Sequence, residues 1–137
     1  MKKVFIDTNI LIDLLADRPP FSKCAIEIFD LAERKKIELF TSSHSIATTH
    51  YLLKKYIREK DLRILLYSLL EYIDIISIDL FVIQKSLLST HKDFEDAIQI
   101  TAANSVRNID FIVTRNLKDF KDAGIKVLPP DEFLLHL

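Results

Sequence analysis

The chain has 137 residues, of which 49% are hydrophobic and 28% are charged, and its formal net charge is −1. This length is typical of one domain, and since no stretch has the composition of a linker, we predict a single domain over residues 1–137. Apolar runs of at most four or five residues are too short to span a membrane, so no membrane contact is expected. With no signal-peptide core before Asp7 and a single cysteine, Cys24, the sequence predicts a cytoplasmic protein.

Short apolar runs alternate with segments of helical periodicity along the chain. The predicted order is strand Val4–Ile6, helices Asn9–Ala16 and Phe21–Glu33, strand Glu38–Thr41, helices Ser45–Ile57 and Leu62–Tyr72, strand Asp74–Ile78, helices Val82–Leu88 and Phe94–Val106, strands Phe111–Val113 and Lys126–Leu128, and helix Asp131–His136. This alternation predicts a parallel sheet covered by helices on both faces, an α/β fold with three layers. The single glycine, Gly124, excludes glycine-rich phosphate-binding and dinucleotide-binding loops.

Two strands of fully apolar character end abruptly in polar clusters. Val4–Ile6 is followed by Asp7-Thr8-Asn9, and Phe111–Val113 is followed by Thr114-Arg115-Asn116. In parallel sheets, ligands bind beyond the carboxyl ends of the strands, where the strand order reverses. We therefore expect the two polar clusters to border one crevice.

Four aspartates are candidates for chemistry at this crevice. Asp7 ends a strand, Asp93 and Asp96 lie one turn apart at the start of a helix, and Asp119 follows the second buried strand. Each also has a structural interpretation, because Asp caps helices well and acidic side chains favour the first helical turn. If the four converge, only a cation can offset their repulsion, and ligands that are all oxygen favour Mg²⁺ or Mn²⁺.

Three segments resemble a known family. VFIDTNILID at residues 4–13 is similar to the opening motif of PIN-domain ribonucleases, which include the VapC-type toxins of bacterial toxin–antitoxin pairs. DFEDA at 93–97 resembles the family's third acidic motif, and IVTRNLKDF at 112–120, followed by GIKVLPP at 124–130, resembles its fourth. The three motifs occur in the family's order and span nearly the whole chain.

The resemblance implies a PIN-like three-layer α/β/α sandwich with a parallel five-stranded sheet in the order 3-2-1-4-5. It also implies an Mg²⁺- or Mn²⁺-dependent endoribonuclease that hydrolyses phosphodiester bonds of RNA, as the toxin of a toxin–antitoxin pair. The implied roles are metal ligands for Asp7, Asp96 and Asp119, an assisting carboxylate for Asp93, and orienting hydrogen bonds from Thr114 and Asn9.

One departure from the family pattern concerns its second acid. The family places a glutamate near the start of the helix after the second strand, where this chain has Thr48, and no carboxylate occurs between Glu38 and Glu59. A second interpretation is therefore a PIN-like domain that binds RNA or a protein without cutting. A third is a phospho-receiver-like signalling domain, which would need paired acids after the first strand and a lysine ending the fifth.

The helices between Ser45 and Tyr72 carry more apolar residues than one buried stripe requires. We predict a homodimer, with part of this surface left for an amphipathic helix of a partner protein. By resemblance, this region corresponds to the apolar clip that holds the antitoxin in VapC-type relatives.

Overall fold

The computed structural model describes all 137 residues, and its centre is a sheet of five parallel strands. The strands are β1 (Lys2–Ile6), β2 (Ile37–Ser42), β3 (Ile73–Ile76), β4 (Phe111–Val113) and β5 (Lys126–Leu128). Their spatial order is β3-β2-β1-β4-β5, and all four pairings are parallel. The predicted fold class and strand order are therefore confirmed.

Seven helices and one 3₁₀ helix cover the sheet. They are α1 (Thr8–Leu15), α2 (Ser22–Glu33), α3 (Ser43–Leu53), α4 (Glu59–Leu69), α5 (Leu80–Leu88), α6 (Phe94–Asn104), the 3₁₀ helix (Leu117–Phe120) and α7 (Pro130–Leu135). The largest error in the predicted bounds concerns α3, which begins two residues earlier than expected and ends four earlier. Its start is set by Ser42, whose side chain accepts a hydrogen bond from the backbone N–H of Ser45.

The sheet is buried on both faces, as apolar strands without polar alternation require. Val4 and Ile6 of β1 face one core, which includes Ile10 of α1 and Ile28 of α2. Phe5, between them, faces a second core with α6 and the 3₁₀ helix. Helices thus form a layer on each side of the sheet. No helix is both long and apolar enough to cross a membrane.

The strand order places the ends of β1 and β4 side by side. Ile6 pairs with Val113 in register, so Asp7 and Thr114, the next residue of each strand, emerge together. β1 continues on its other side to β2, so the crevice between β1 and β4 is the point at which the strand order reverses. The fold therefore brings the two polar clusters together, as expected.

Candidate active site

Asp7 is the acid of the crevice with the most hydrogen bonds, because four donors contact its carboxylate. Oδ1 accepts from the backbone N–H of Thr8 at 2.8 Å and from Nε2 of Gln99 at 3.2 Å. Oδ2 accepts from the hydroxyl of Thr114 at 2.8 Å and from Nδ2 of Asn9 at 3.3 Å. Asp7 is also the N-cap of α1, so its capping role and its position in the crevice belong to one conformation. These hydrogen bonds fix the orientation of the Asp7 carboxylate.

A network of uncharged side chains lies behind Asp7. Gln99 of α6 is 3% exposed, and its Nε2 also donates to Oγ of Ser45 at 2.5 Å. Its Oε1 accepts from the hydroxyl of Ser42 at 2.5 Å, and Thr8 donates to the same Ser45 hydroxyl at 3.0 Å. No buried side-chain polar atom is left without a partner. The network therefore joins the ends of β1 and β2 to α6 without any charge of its own.

The other three predicted acids lie across the crevice. Asp93 is the N-cap of α6 and accepts from the backbone N–H of Asp96 at 3.0 Å. Asp119, on the 3₁₀ helix, accepts from Nδ2 of Asn116 at 2.6 Å. Asp93, Asp96 and Asp119 line one cavity of about 240 Å³, together with Lys118 and other polar residues but no hydrophobic one. The α6 and 3₁₀ acids thus share an open polar cavity.

The pKa of the Asp96 carboxyl reflects its burial and the charges around it. Burial, as the largest cause, together with nearby negative charges raises the pKa of its carboxyl from 3.8 to about 7. Negative charges raise the pKa in the same direction, in decreasing order from Asp93, Asp7, Asp119 and Glu95. Each charge that disfavours ionisation of Asp96 would be offset by a bound cation. Asp7, Asp93 and Asp119 therefore all lie near enough to Asp96 to disfavour its ionisation, whereas their role as a metal site stays a prediction.

The acids fit a hydrated divalent cation better than a tightly caged one. No three His, Cys, Asp or Glu side chains are arranged as ligands of a single metal ion. Mg²⁺, however, commonly keeps several waters and binds proteins through only one or two carboxylates. The four aspartates supply oxygen donors of the kind that Mg²⁺ prefers, while His91 and the lysines Lys92, Lys118 and Lys121 line the same cavity as three of them.

Thr48 lies on the side of α3 that faces α6. Its hydroxyl is 3.3 Å from Nε2 of His44, and that nitrogen is 3.8 Å from a carboxylate oxygen of Glu95. The position where the family's glutamate was expected is thus near the start of α6, but α3 contributes no acid. Ser45, one turn earlier, is the α3 residue that reaches the Asp7 network.

A buried ion cluster borders the crevice on the α1 side. Asp13 of α1 is 1% exposed and accepts from Arg115 at 2.7 and 3.0 Å. Arg18 donates to the same carboxylate at 2.8 Å. Arg115 follows Thr114 directly, and its backbone N–H donates to Oδ1 of Asn9 at 3.4 Å. Asn9 therefore contacts both Asp7 and the residue that carries this cluster.

Gln99, Ser45, Asp13 and Arg115 were not predicted as site residues. Gln99 did carry a signal, because it is a large polar residue within the apolar run Ala97–Ala103 and every residue of that run is buried. A polar side chain in such a run must find a hydrogen-bond partner. Asp13 carried a similar signal, as an acid among the apolar residues of α1.

Comparison with known proteins identifies the family of this chain. Residues 3–118 match the family model described as PIN domain. Ribonuclease VapC1 of Aquifex aeolicus (strain VF5) is 27% identical over 137 residues, covering 96% of this chain and 93% of that protein. A structure titled as a toxin–antitoxin complex from Klebsiella pneumoniae is 30% identical with a TM-score of 0.66, covering 93% of this chain and 97% of that chain. The VapBC-1 structure from nontypeable Haemophilus influenzae, 19% identical, shares the fold with a TM-score of 0.68 over 94% of this chain and 98% of that chain. The chain belongs to the PIN-domain family.

Proposed function

We propose that this chain is an endoribonuclease that requires Mg²⁺ or Mn²⁺ and is the toxin of a toxin–antitoxin pair. The observation that carries the proposal is the placement of Asp93, Asp96 and Asp119 around one polar cavity, close enough to Asp7 that all three other aspartates add to the effect of burial on the pKa of Asp96. The ribonuclease and toxin–antitoxin names of the relatives support the same activity. We infer a cytoplasmic location from the sequence alone.

The chain's own residues have distinct parts in this proposal. Asp7, Asp96 and Asp119 would hold a hydrated cation, partly through its bound waters, and Asp93 adds negative charge one turn from Asp96. Thr114 and Asn9 keep Asp7 oriented through their hydrogen bonds to Oδ2, which reduces the reorganisation needed during the reaction. When bound, the metal ion supplies a water of lowered pKa and stabilises negative charge on the phosphodiester.

A groove beside α1 and α3 supports an antitoxin as partner. It has a volume of about 630 Å³ and is mostly apolar, with Ile12 and Leu15 on one side and Leu52 and Tyr56 on the other. Arg18 and Lys55 also line it. We propose that an amphipathic antitoxin helix binds here, with apolar residues in the groove and acidic residues near the two cations.

A homodimer is the proposed state of the chain. Tyr51, Leu52, Tyr56 and Leu65 of α3, α4 and the turn between them are exposed, so the surplus of apolar surface expected there does reach solvent. A second apolar surface on α5 was not expected. Its exposed residues are Leu80, Phe81, Ile83, Leu87 and Leu88. With the groove reserved for the antitoxin, we assign the dimer contact to α5.

A non-cleaving PIN domain is the second candidate, and the missing acid at Thr48 favours it. Such a domain would bind RNA without hydrolysing it. The receiver-like interpretation is set aside, because the PIN-domain match covers residues 3–118.

Cleavage of labelled single-stranded RNA by the purified protein tests the proposal. The protein freed of any partner should cut with Mg²⁺ or Mn²⁺ and stop when EDTA is added. Asp7→Asn and Asp96→Asn each remove a charge while keeping the shape, so activity should fall roughly a hundredfold or more. Asp74→Asn, an exposed change on β3, should not alter the rate. If both site variants cut as fast as the parent, the assigned site is wrong; RNA binding without cleavage would favour the second candidate.

A further inference from the structure

A second cavity lies next to the acidic crevice, beyond the ends of β4 and β5. Its volume is about 450 Å³, and its lining includes Phe21, Arg115 and three prolines, Pro20, Pro129 and Pro130. Arg115 follows β4 by two residues, and Pro129 follows β5 directly, so the cavity opens at the same edge of the sheet as the acids. Its walls are rigid and largely apolar, in contrast to the polar acidic cavity.

An aromatic ring and a guanidinium form one wall of this cavity. The guanidinium carbon of Arg115 lies 4.0 Å from the ring centroid of Phe21. Two hydrogen bonds to the buried carboxylate of Asp13 hold the guanidinium in place. Phe21 is nevertheless 43% exposed, so part of its ring is available to a ligand. Unpaired RNA bases stack on such aromatic rings and on guanidinium planes.

A cationic group beside this wall suits a phosphate. Arg18 and Arg115 both bind the single carboxylate of Asp13, so these three groups together carry one positive charge, and Arg18 itself lies outside the cavity. Asp131 also lines the cavity, as an exposed carboxylate that carries one negative charge, and can accept a hydrogen bond from the amino group of a base. The wall therefore offers a stacking surface, a cationic group and an acceptor.

The distance from the acids limits which nucleotide can reach this wall. Asp13 lies six residues after Asp7 along α1, which corresponds to roughly 9 Å along a helix axis. Asn9 links the two places, because it donates to Asp7 and accepts from the backbone N–H of Arg115. An RNA strand with its scissile phosphate at the acids can thus place a base one or two nucleotides away against Phe21.

We propose that Phe21 and Arg115 form a binding subsite for one unpaired base of the RNA, and that Arg18 and Arg115 attract the adjoining phosphate. The inference rests on the proposed ribonuclease function and adds to it a site at which the enzyme recognises one base of its substrate. Phe21 and Arg115 are specificity residues in this proposal and take no part in the bond cleavage.

Binding of RNA to a variant that cuts it far more slowly than the parent tests the subsite. In an Asp96→Asn background, single-stranded RNA carrying one 2-aminopurine is titrated with protein, and the fluorescent base is moved along the strand. One position, within one or two nucleotides of the bond that the parent cleaves, should lose fluorescence through stacking. Phe21→Leu should abolish that loss and weaken binding about tenfold, in the range for loss of one base–aromatic stack. Phe21→Trp should retain both.

Two further variants separate stacking from charge and from general effects. Tyr67→Leu removes an exposed aromatic ring on α4 and should leave RNA binding unchanged. Arg18→Gln removes the second cation while Arg115 still pairs with Asp13. The slope of log affinity against log salt should then fall by about 0.7, the value for one phosphate contact with a single strand.

The outcomes distinguish this inference from the proposed function. If the parent cleaves RNA but Phe21→Leu binds it as Tyr67→Leu does, the subsite is refuted and the ribonuclease proposal stands. A protein that neither binds nor cleaves RNA refutes both. Quenching at a single position that Phe21→Leu removes and Phe21→Trp restores supports the subsite, whether or not the parent cleaves.

Discussion

Gln99 donates a hydrogen bond from Nε2 to Oδ1 of Asp7 at 3.2 Å, across 92 residues of sequence. The same amide joins Ser42 and Ser45, so one uncharged side chain connects the second strand, the third helix and the candidate metal-binding acid. The partners of Asp7 and Gln99 in this network are hydroxyl, amide and backbone N–H groups, none of which carries a charge. Asp7 is therefore oriented by neutral groups, and the negative charge of the crevice is concentrated at the start of α6.

Gln99→Met tests whether this amide positions Asp7. Methionine has a similar size but no hydrogen-bonding amide, so the side chains of Ser42 and Ser45 lose partners in a buried place. Both hydroxyls keep other partners, so each lost hydrogen bond costs about 0.5–1.5 kcal/mol, and we expect the free energy of unfolding to fall by about 1–3 kcal/mol in urea titration. Glu27→Met, an exposed change on α2, should have no effect.

A positioning role predicts more than lost stability. At a temperature where Gln99→Met is fully folded, kcat for RNA cleavage should fall while KM changes little, because the residue touches Asp7 and no substrate. Gln99→Glu keeps the shape and adds a charge beside Asp7, and it should change the Mn²⁺ concentration needed for half-maximal activity. Normal kcat in folded Gln99→Met would show that the amide is only structural.

The parts of this site that the sequence predicted depend on local pattern. Ile6-Asp7 and Val113-Thr114 are apolar strands that stop at polar residues, and parallel pairing places such ends together. Gln99 and Ser45 could not be predicted in the same way, because their hydrogen bonds join residues 54 apart and depend on how α3 packs near α6. Periodicity marks them as buried polar residues but does not identify their partners.

The raised pKa of Asp96 predicts an unusual dependence of stability on pH. An aspartate in the unfolded chain titrates near 3.9, whereas Asp96 in the folded chain titrates at about 7. Between these values the folded state binds a proton that the unfolded state has released, so the free energy of unfolding falls as pH rises through this window. Asp96→Asn removes the titration, and its Tm should exceed that of the parent by more at pH 8 than at pH 5.

Divalent cations should counteract this loss. At pH 8, Mg²⁺ or Mn²⁺ offsets the repulsion among the acids and should raise the Tm of the parent more than that of Asp96→Asn, by calorimetry. Asp74→Asn serves as the control, and its Tm should follow that of the parent at both pH values. Equal Tm increases in the parent and in Asp96→Asn would place the cation elsewhere.

Thr48→Glu tests whether the absent family acid limits cation binding. A glutamate here would lie near His44 and Glu95, on the side of α3 that faces α6, and would add one negative charge to the crevice. Mn²⁺ titration by calorimetry should then show tighter binding than in the parent, and cleavage should rise. Thr49 is fully buried, so the exposed Ala47 gives the better control, and Ala47→Glu should change neither quantity. If Thr48→Glu binds Mn²⁺ as the parent does, Thr48 does not occupy the position of the family's acid.

The exposed apolar residues of α5 predict how the chain dimerises. Only Val82 and Ser86 of this helix are buried, while Leu87 and Leu88 at its end are exposed to solvent. Light scattering at tens of micromolar should give about twice the chain mass of 15.9 kDa for the parent. Leu87→Glu combined with Leu88→Glu places two like charges in the proposed contact and should yield the monomer mass, because charges cannot be buried unpaired at an apolar interface.

Tyr56→Glu, in the groove beside α3, is the control for this dimer contact and should remain dimeric. A monomeric parent would refute the dimer, and a dimer that dissociates only with Tyr56→Glu would move the contact to the helices between Ser45 and Tyr72.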